Sequence, residues 1–243
     1  MSRFRVFRKF NKAQLRPSGW KGRFDSLAVP ELGQRGRILK VLQAVAQGGH
    51  LKFKEVLESF EVYACVHKRL NHPRIVDLCC GHGLTGYLFA VFGRQVEEVV
   101  LVDHETHPSA LAISAALHCA FPELEGRVRR VTSSLRQFRE PLSPQTGLVA
   151  VHACGSRTDH CLDLAIEHRC AIVALPCCYT GTGRGEPAAL RQSLGVAMAT
   201  DIGRTYRLQR EGYTVEWDAI PSSITAMNRL IIAHPHNRRP PPG

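Results

Sequence analysis

Short apolar segments alternate with longer periodic segments over residues 73–234. Short apolar runs bounded by turn residues predict buried strands, and apolar residues spaced three or four apart predict helices. Regular alternation of the two predicts an α/β protein with a mostly parallel sheet and helices on both faces. A turn alone joins the last two strands, which indicates an antiparallel hairpin at the sheet edge. The strands are predicted at 74–78, 99–102, 128–131, 148–152, 170–175, 213–219 and 226–233, and the helices at 84–92, 108–120, 158–168 and most of 187–211.

Two more helices are predicted ahead of this region. Apolar periodicity indicates helices at 34–47 and 52–70, and Gly48-Gly49 separates them. The predicted organisation is a basic N-terminal arm at 1–33, two helices within 34–72, one α/β domain at 73–234 and a disordered Pro-rich tail at 235–243.

The first predicted strand leads into a glycine-rich turn, VDLCCGHGLTG, at residues 76–86. Gly81, Gly83 and Gly86 follow the G-x-G-x-x-G order of dinucleotide-binding turns. Glycine allows a tight turn and a close approach of the backbone to a ligand. No Gly-Lys-Ser/Thr sequence follows, which excludes a phosphate-binding P-loop.

Two acidic residues narrow the choice of nucleotide. Asp77 lies four residues before Gly81, where a carboxylate repels a pyrophosphate but suits a cofactor with a sulfonium and an amino group. Asp103 ends the second strand, 20 residues after Gly83, where a carboxylate can accept both ribose hydroxyls. A surface acid that caps the next helix is the alternative for Asp103. Asp103 supports a nucleoside but does not decide which one, because NAD enzymes and methyltransferases both use such a carboxylate. Asp77 is the residue that favours S-adenosylmethionine over NAD.

Three later blocks follow at predicted strand ends: HACGSRTD at 152–159, PCCY at 176–179 and ITAMNR at 224–229. With the D-x-x-x-G-x-G of 77–83, they resemble class I S-adenosylmethionine-dependent methyltransferases, and in particular the methyltransferase domain of glutathione S-transferase C-terminal domain-containing proteins. More distantly, they are similar to tRNA 2′-O-methyltransferases with an H-x-C-G-x-x-T-D motif, although this chain has Tyr179 where the C-C-H motif of those enzymes has histidine. The resemblance covers about residues 73–234 and implies a Rossmann-like seven-stranded sheet with an antiparallel last strand.

The resemblance also implies a cofactor site for S-adenosylmethionine at the strand ends. Cys79 stands where the family usually has its first glycine, and Ser133 lies in the segment where an acid near the adenine is expected. The residues predicted to bind the cofactor are Asp77, Cys80, Gly81, Gly83, Asp103, His104, Ser133, His152 and Ala153.

Three residues are candidates for catalysis. Asp159 and His152 can accept a proton, and Cys177 is a candidate nucleophile. Asp159 has an alternative place in the first turn of a helix with Ser156 as the N-cap.

The nine cysteines include two adjacent pairs, Cys79-Cys80 and Cys177-Cys178, and their odd number does not suit a disulfide framework. This pattern indicates a reducing compartment, and we expect the protein in the cytoplasm. Cys154, Cys177 and Cys178 have three interpretations: they shape the pocket, one attacks a pyrimidine ring, or they bind zinc with His152. No metal site is predicted, because the spacing matches no zinc signature.

The net charge of +11 is concentrated at the N-terminus. Residues 1–24 contain eight Lys or Arg and no acid, whereas the other 24 Lys or Arg are offset by 21 acids. Five aromatic residues interleave with these charges, a mixture that suits contact with phosphates and bases. The arm is therefore predicted to bind RNA; a solvated tail and an organelle transit peptide are the alternatives. The five rings are Phe4, Phe7, Phe10, Trp20 and Phe24.

The predicted function is an S-adenosylmethionine-dependent methyltransferase that acts on RNA. The alternatives are a cofactor-binding, RNA-associated protein without turnover, and a methyltransferase that acts on a small molecule or a protein. No apolar run is long enough to predict a membrane span.

Overall fold

The computed structural model describes residues 2–12, 22–49, 51–179 and 186–236. Its strands are β1 (Arg74–Leu78), β2 (Glu98–Asp103), β3 (Val128–Thr132), β4 (Thr146–Val151), β5 (Ala171–Leu175), β6 (Tyr213–Ala219) and β7 (Arg229–Pro235). Its α-helices are α1 (Gly36–Gly48), α2 (Phe53–Val66), α3 (Leu84–Phe92), α4 (Pro108–Ala120), α5 (Ser156–His168), α6 (Ala188–Leu194) and α7 (Val196–Arg210). Short 3-10 helices lie at Arg8–Lys12, Pro30–Leu32 and Pro122–Leu124.

The strands form one sheet in the order β3-β2-β1-β4-β5-β7-β6. Neighbouring strands from β1 to β5 are parallel, and β7 runs antiparallel to both β5 and β6. This arrangement confirms the predicted seven-stranded, mostly parallel sheet with an antiparallel hairpin at one edge. The carboxyl ends of β1, β2 and β4 lie side by side, where ligands bind in such sheets.

The two faces of the sheet are covered by different helices. Along β1, Ile75 packs into the cluster that contains buried residues of α1, α2 and α3, whereas Val76 packs into the cluster with buried residues of α5 and α7. Both residues are fully buried, as alternation along a strand between two helical layers requires.

Several predicted boundaries differ from those observed. The helix predicted at 52–70 ends at Val66, and the stretch 187–211 is divided at Gly195, whose φ of 79° ends α6. The last strand begins at Arg229 rather than 226, because residues 221–228 form the hairpin connection. The Asn228 side-chain amide donates to the Ile220 carbonyl at 2.6 Å and closes that connection.

The N-terminal segment is part of the folded core. Phe4, Phe7 and Phe24 are buried, and the Phe7 ring contacts Phe60 of α2 at a centroid distance of 5.5 Å. The fully buried Glu61 carboxylate accepts the backbone N–H groups of residues 5, 6 and 7 at 2.7–3.1 Å. Burial removes these three rings from base stacking, which corrects that part of the arm prediction.

Other predictions for the termini fall outside the described residues. Trp20 lies in the undescribed stretch 13–21. Of the tail predicted to be disordered at 235–243, Pro235 belongs to β7, and residues 237–243 lie outside the described residues. Over the described residues, no helix has both the length and the apolar character needed to cross a membrane.

Candidate active site

The glycine-rich turn after β1 forms the floor of a cleft at the carboxyl edge of the sheet. The Gly81 N–H donates to the Asp103 carboxylate at 2.7 Å, and this contact joins the end of β1 to the end of β2. Gly83 has a φ of 83°, and a Cβ there would lie 2.8 Å from the Leu101 side chain and 2.9 Å from the Arg130 guanidinium. Only glycine therefore fits this position without displacing its neighbours.

Arg130 of β3 holds the same turn from the other side. Its guanidinium donates to the carbonyls of Gly81 at 3.0 Å and His82 at 3.2 Å, and it contacts the Cys80 sulfur at 3.3 Å. Sequence reasoning missed this residue, because an arginine in the middle of a predicted strand gives no signal of its target.

Two cavities open at the turn and share several lining residues. The first, of about 260 Å³, is lined by apolar and hydroxyl-bearing groups that include Val102, Leu135, Ser133 and Ser134. The second, of about 360 Å³, lies towards α2. The residues common to both linings are Cys79, Asp103, His104 and Arg157.

Carboxylates dominate the second cavity. Five acidic residues line it, whereas Arg157 is its one lining Lys or Arg among the described residues. In a chain of net charge +11, this local excess of negative charge favours a ligand group that is positively charged. The five acids are Glu55, Glu58, Asp77, Asp103 and Glu105.

Asp77 is the most deeply buried of these acids, with 1% of its surface exposed. Its carboxylate accepts the Gly86 N–H at 2.9 Å, but burial outweighs this bond and raises the pKa of Asp77 to about 7. A positively charged ligand in the cavity would stabilise the ionised form.

His152 and Glu58 form a close pair in the wall of the second cavity. His152 follows β4 with a φ of 61°, and its Nε2 lies 2.7 Å from Glu58 Oε2. The Glu58 side chain is only 4% exposed, and its Oε1 is buried with no hydrogen-bond partner among the described residues. A donor on a bound molecule would satisfy that oxygen.

Glu58 was not among the predicted site residues. It lies on α2 between the buried residues Leu57 and Phe60, and the available signal was an acid beside apolar positions of the helix. Its partner across the cleft could not be identified from the sequence, because the two residues are far apart along the chain.

The structure brings together most of the residues predicted to bind the cofactor. Gly83 and Ala153 do not line the cavities, although Gly83 supports the turn, and Cys79 lines both cavities without having been predicted. The predicted residues that line at least one cavity are Asp77, Cys80, Gly81, Asp103, His104, Ser133 and His152.

Asp159 lies in a buried ion pair outside the cleft. Its two carboxylate oxygens each accept a hydrogen bond of 3.0 Å from Arg204, which is 5% exposed. Helix α5 begins at Ser156 with Gly155 as the N-cap, so the expected Ser156 cap is not formed. In this position Asp159 joins α5 to α7.

Cys177 lies beside Cys154, with their sulfur atoms 2.9 Å apart. Neither residue lines the two cavities in the described part of the chain.

Together, the sheet order, the glycine turn and the paired cavities define a Rossmann-like protein with a nucleoside-sized cleft. Residues 51–182, more than half of the chain, match the family described as a methyltransferase domain. The chain therefore belongs to this methyltransferase family, and the family supports S-adenosylmethionine as its cofactor, as the motif predicted. No curated protein sequence matches the chain significantly.

Solved structures are similar in fold at low sequence identity. A protein assigned as an O-methyltransferase from Nostoc punctiforme aligns with a TM-score of 0.50 and 13% identity over 80% of this chain and 59% of that one. An O-methyltransferase family protein from Burkholderia thailandensis gives 0.45 and 14% over 75% and 58%. The M. capricolum TrmK, solved with S-adenosylhomocysteine, gives 0.43 and 12% over 72% and 67%. The chain spans less than two thirds of the first two proteins.

Proposed function

We propose that this protein transfers the methyl group of S-adenosylmethionine to a hydroxyl group of RNA, with His152 as the general base. The observation that carries this proposal is the His152–Glu58 pair, 2.7 Å apart in the wall of the carboxylate-rich cavity. A nitrogen or sulfur acceptor can attack without such a base, whereas a hydroxyl benefits from losing its proton.

The residues present fit the cofactor. Asp77 and Asp103 would hold the part that carries the positive charges and the ribose, while Ser133 and Leu135 line the cavity suited to the adenine. When bound, the cofactor supplies an electrophilic methyl group on a positively charged sulfur. The protein then needs to hold the acceptor, exclude water and remove one proton.

His152 is arranged to remove that proton. When the neutral ring has its proton on Nε2, the nitrogen next to Glu58, its lone pair is on Nδ1, which can accept the proton of a hydroxyl. The buried Glu58 carboxylate then stabilises the positive charge that forms on the ring, as the aspartate does in a Ser-His-Asp triad. The strained backbone at His152, with a φ of 61°, is typical of a residue held for function.

The charge distribution supports RNA as the acceptor. Residues 2–12 contain five Lys or Arg and no acid, and all five of these side chains are exposed. Glu61 of α2 binds the backbone of this segment and follows Glu58 by about one turn of the helix. The basic segment is therefore attached to the helix that lines the site. The HACGSRTD block is similar to the motif of tRNA 2′-O-methyltransferases, which also supports an RNA hydroxyl.

The test is transfer of labelled methyl groups to total RNA, protein and small-molecule extract in parallel. We expect label in RNA, and less of it when three exposed basic residues of the docked segment are neutralised, because the RNA loses phosphate contacts. The variant is R8Q/K9Q/K12Q, and the matched control, K68Q/R94Q/R210Q, removes three exposed charges elsewhere. Deletion of the arm is unsuitable, because it would remove Phe4 and Phe7 from the core.

The other outcomes discriminate between the alternatives. Label in protein or extract alone would support methyl transfer as the activity and contradict RNA as the substrate. Cofactor binding without label in any pool would instead identify a binding protein without turnover.

A further inference from the structure

Three cysteine sulfurs meet beside the active-site cleft. Cys154 follows β4, and Cys177 and Cys178 follow β5. The Cys177 sulfur lies 2.9 Å from that of Cys154 and 3.6 Å from that of Cys178, and all three sulfurs lie within 4.8 Å of one another. In the described part of the chain, none of the three lines the two cavities, so the cluster is separate from the proposed methyl-transfer site.

The backbone around the cluster is fixed from both sides. The Gly155 N–H donates to the Cys178 carbonyl at 3.2 Å and joins the two loops directly. The next residue, Tyr179, donates its hydroxyl to the buried Asp201 carboxylate at 2.7 Å. The three sulfurs are therefore held together by contacts that do not depend on a ligand.

We propose that Cys154, Cys177 and Cys178 bind a zinc ion that joins the loops after β4 and β5. Zinc binds cysteine thiolates at about 2.3 Å, so two sulfurs on one tetrahedral ion lie about 3.8 Å apart. The Cys177–Cys178 separation of 3.6 Å is close to this value, whereas the Cys154 and Cys177 sulfurs, 2.9 Å apart, would move apart by a side-chain rotation when the ion binds. Cys178 is exposed, which leaves a fourth coordination position open to water.

A disulfide explains the cluster less well. It would join two sulfurs and leave the third unused, whereas one metal ion uses all three. Zinc binding also requires no oxidant, because each thiol releases its proton to solvent as its sulfur–zinc bond forms. His152, two residues before Cys154, pairs with Glu58 and so is not needed as a ligand.

The test measures metal in the whole protein purified under reducing conditions without chelator. We expect one zinc per chain in the wild type, and loss of that zinc in C154S, C177S and C178S. Cys119, an exposed cysteine on α4, provides the matched control, and C119S should keep its zinc. Because a serine variant can fail to fold, wild-type protein is also titrated with Co²⁺, which should give a sulfur-to-cobalt charge-transfer band.

Two results would overturn the proposal. One is wild-type protein that takes up neither zinc nor cobalt at micromolar concentrations. The other is metal uptake that the three cluster variants leave unchanged. Neither readout measures methyl transfer, so the zinc proposal can fail while the proposed function holds, and the reverse.

Discussion

The ionisation of Asp77 makes the affinity for a positively charged ligand depend on pH. The carboxyl group is buried and lines the second cavity, and its pKa of about 7 leaves it partly protonated at neutral pH in the free protein. A positively charged cofactor binds better to the ionised form, so binding releases a proton from this group. The affinity therefore falls as the pH falls through 7.

We predict that the dissociation constant for S-adenosylmethionine rises by up to about tenfold per pH unit below pH 7, as expected for one coupled proton. The D77N variant should bind more weakly at high pH and lose this pH dependence. Calorimetric titrations between pH 5.5 and 8.5 measure both effects. The exposed Asp25 provides the control variant, D25N, and a wild-type affinity independent of pH would refute the assignment.

At the residue scale, the sequence predicted the acids at strand ends better than their partners. Asp77 and Asp103 were identified because their positions follow from the strand and the glycine turn. Glu58 and Arg130 reach the cleft from α2 and β3, and only the folded sheet brings them there. Such contacts depend on tertiary packing, which periodicity and spacing do not encode.

At the scale of elements, a buried ion pair joins two helices. Arg204 of α7 binds Asp159 of α5 through two hydrogen bonds and also contacts Asp201, whose carboxylate accepts hydrogen bonds from Tyr179 and Arg229. This network connects α5, α7, β7 and the loop after β5. The arrangement favours a structural role for Asp159, because its carboxylate is already occupied by Arg204.

We predict that D159N lowers the free energy of unfolding by about 3 kcal/mol, because it leaves a buried arginine without its full charge partner. Turnover at a temperature where the variant stays folded should change by less than about threefold. Urea unfolding and initial rates measure the two quantities. The partly exposed Asp163 provides the control variant, D163N. A D159N variant that is as stable as the wild type but has no turnover would indicate that Asp159 is the general base.

The elements themselves were predicted where local signals are strong. The observed bounds of β1, α3, α4 and β6 match the predictions, and α3 ends directly before Gly93. The docking of the N-terminal segment was not predicted, since its basic, acid-free composition is typical of a solvated arm. A single buried acceptor, Glu61, holds three backbone N–H groups of that segment, and its sequence context gives no sign of this.

At the scale of the whole molecule, opposite charges are separated. The chain is strongly basic, and the docked segment 2–12 carries part of the excess, whereas five acids line one cavity at the carboxyl edge of the sheet. A basic surface attracts a polyanion such as RNA, and an acidic cavity attracts a positively charged cofactor. One molecule can therefore hold both without competition between them.

The most direct test of this account is the rate of methyl transfer by E58Q and H152N, measured with saturating cofactor and the acceptor pool that takes up most label. Both variants should lower kcat about a hundredfold or more, the contribution typical of a general base, while their affinity for the cofactor changes much less. His118 and Glu125 form another His–Glu pair away from the cleft, and E125Q should match the wild type. An E58Q rate within about threefold of wild type would contradict the account.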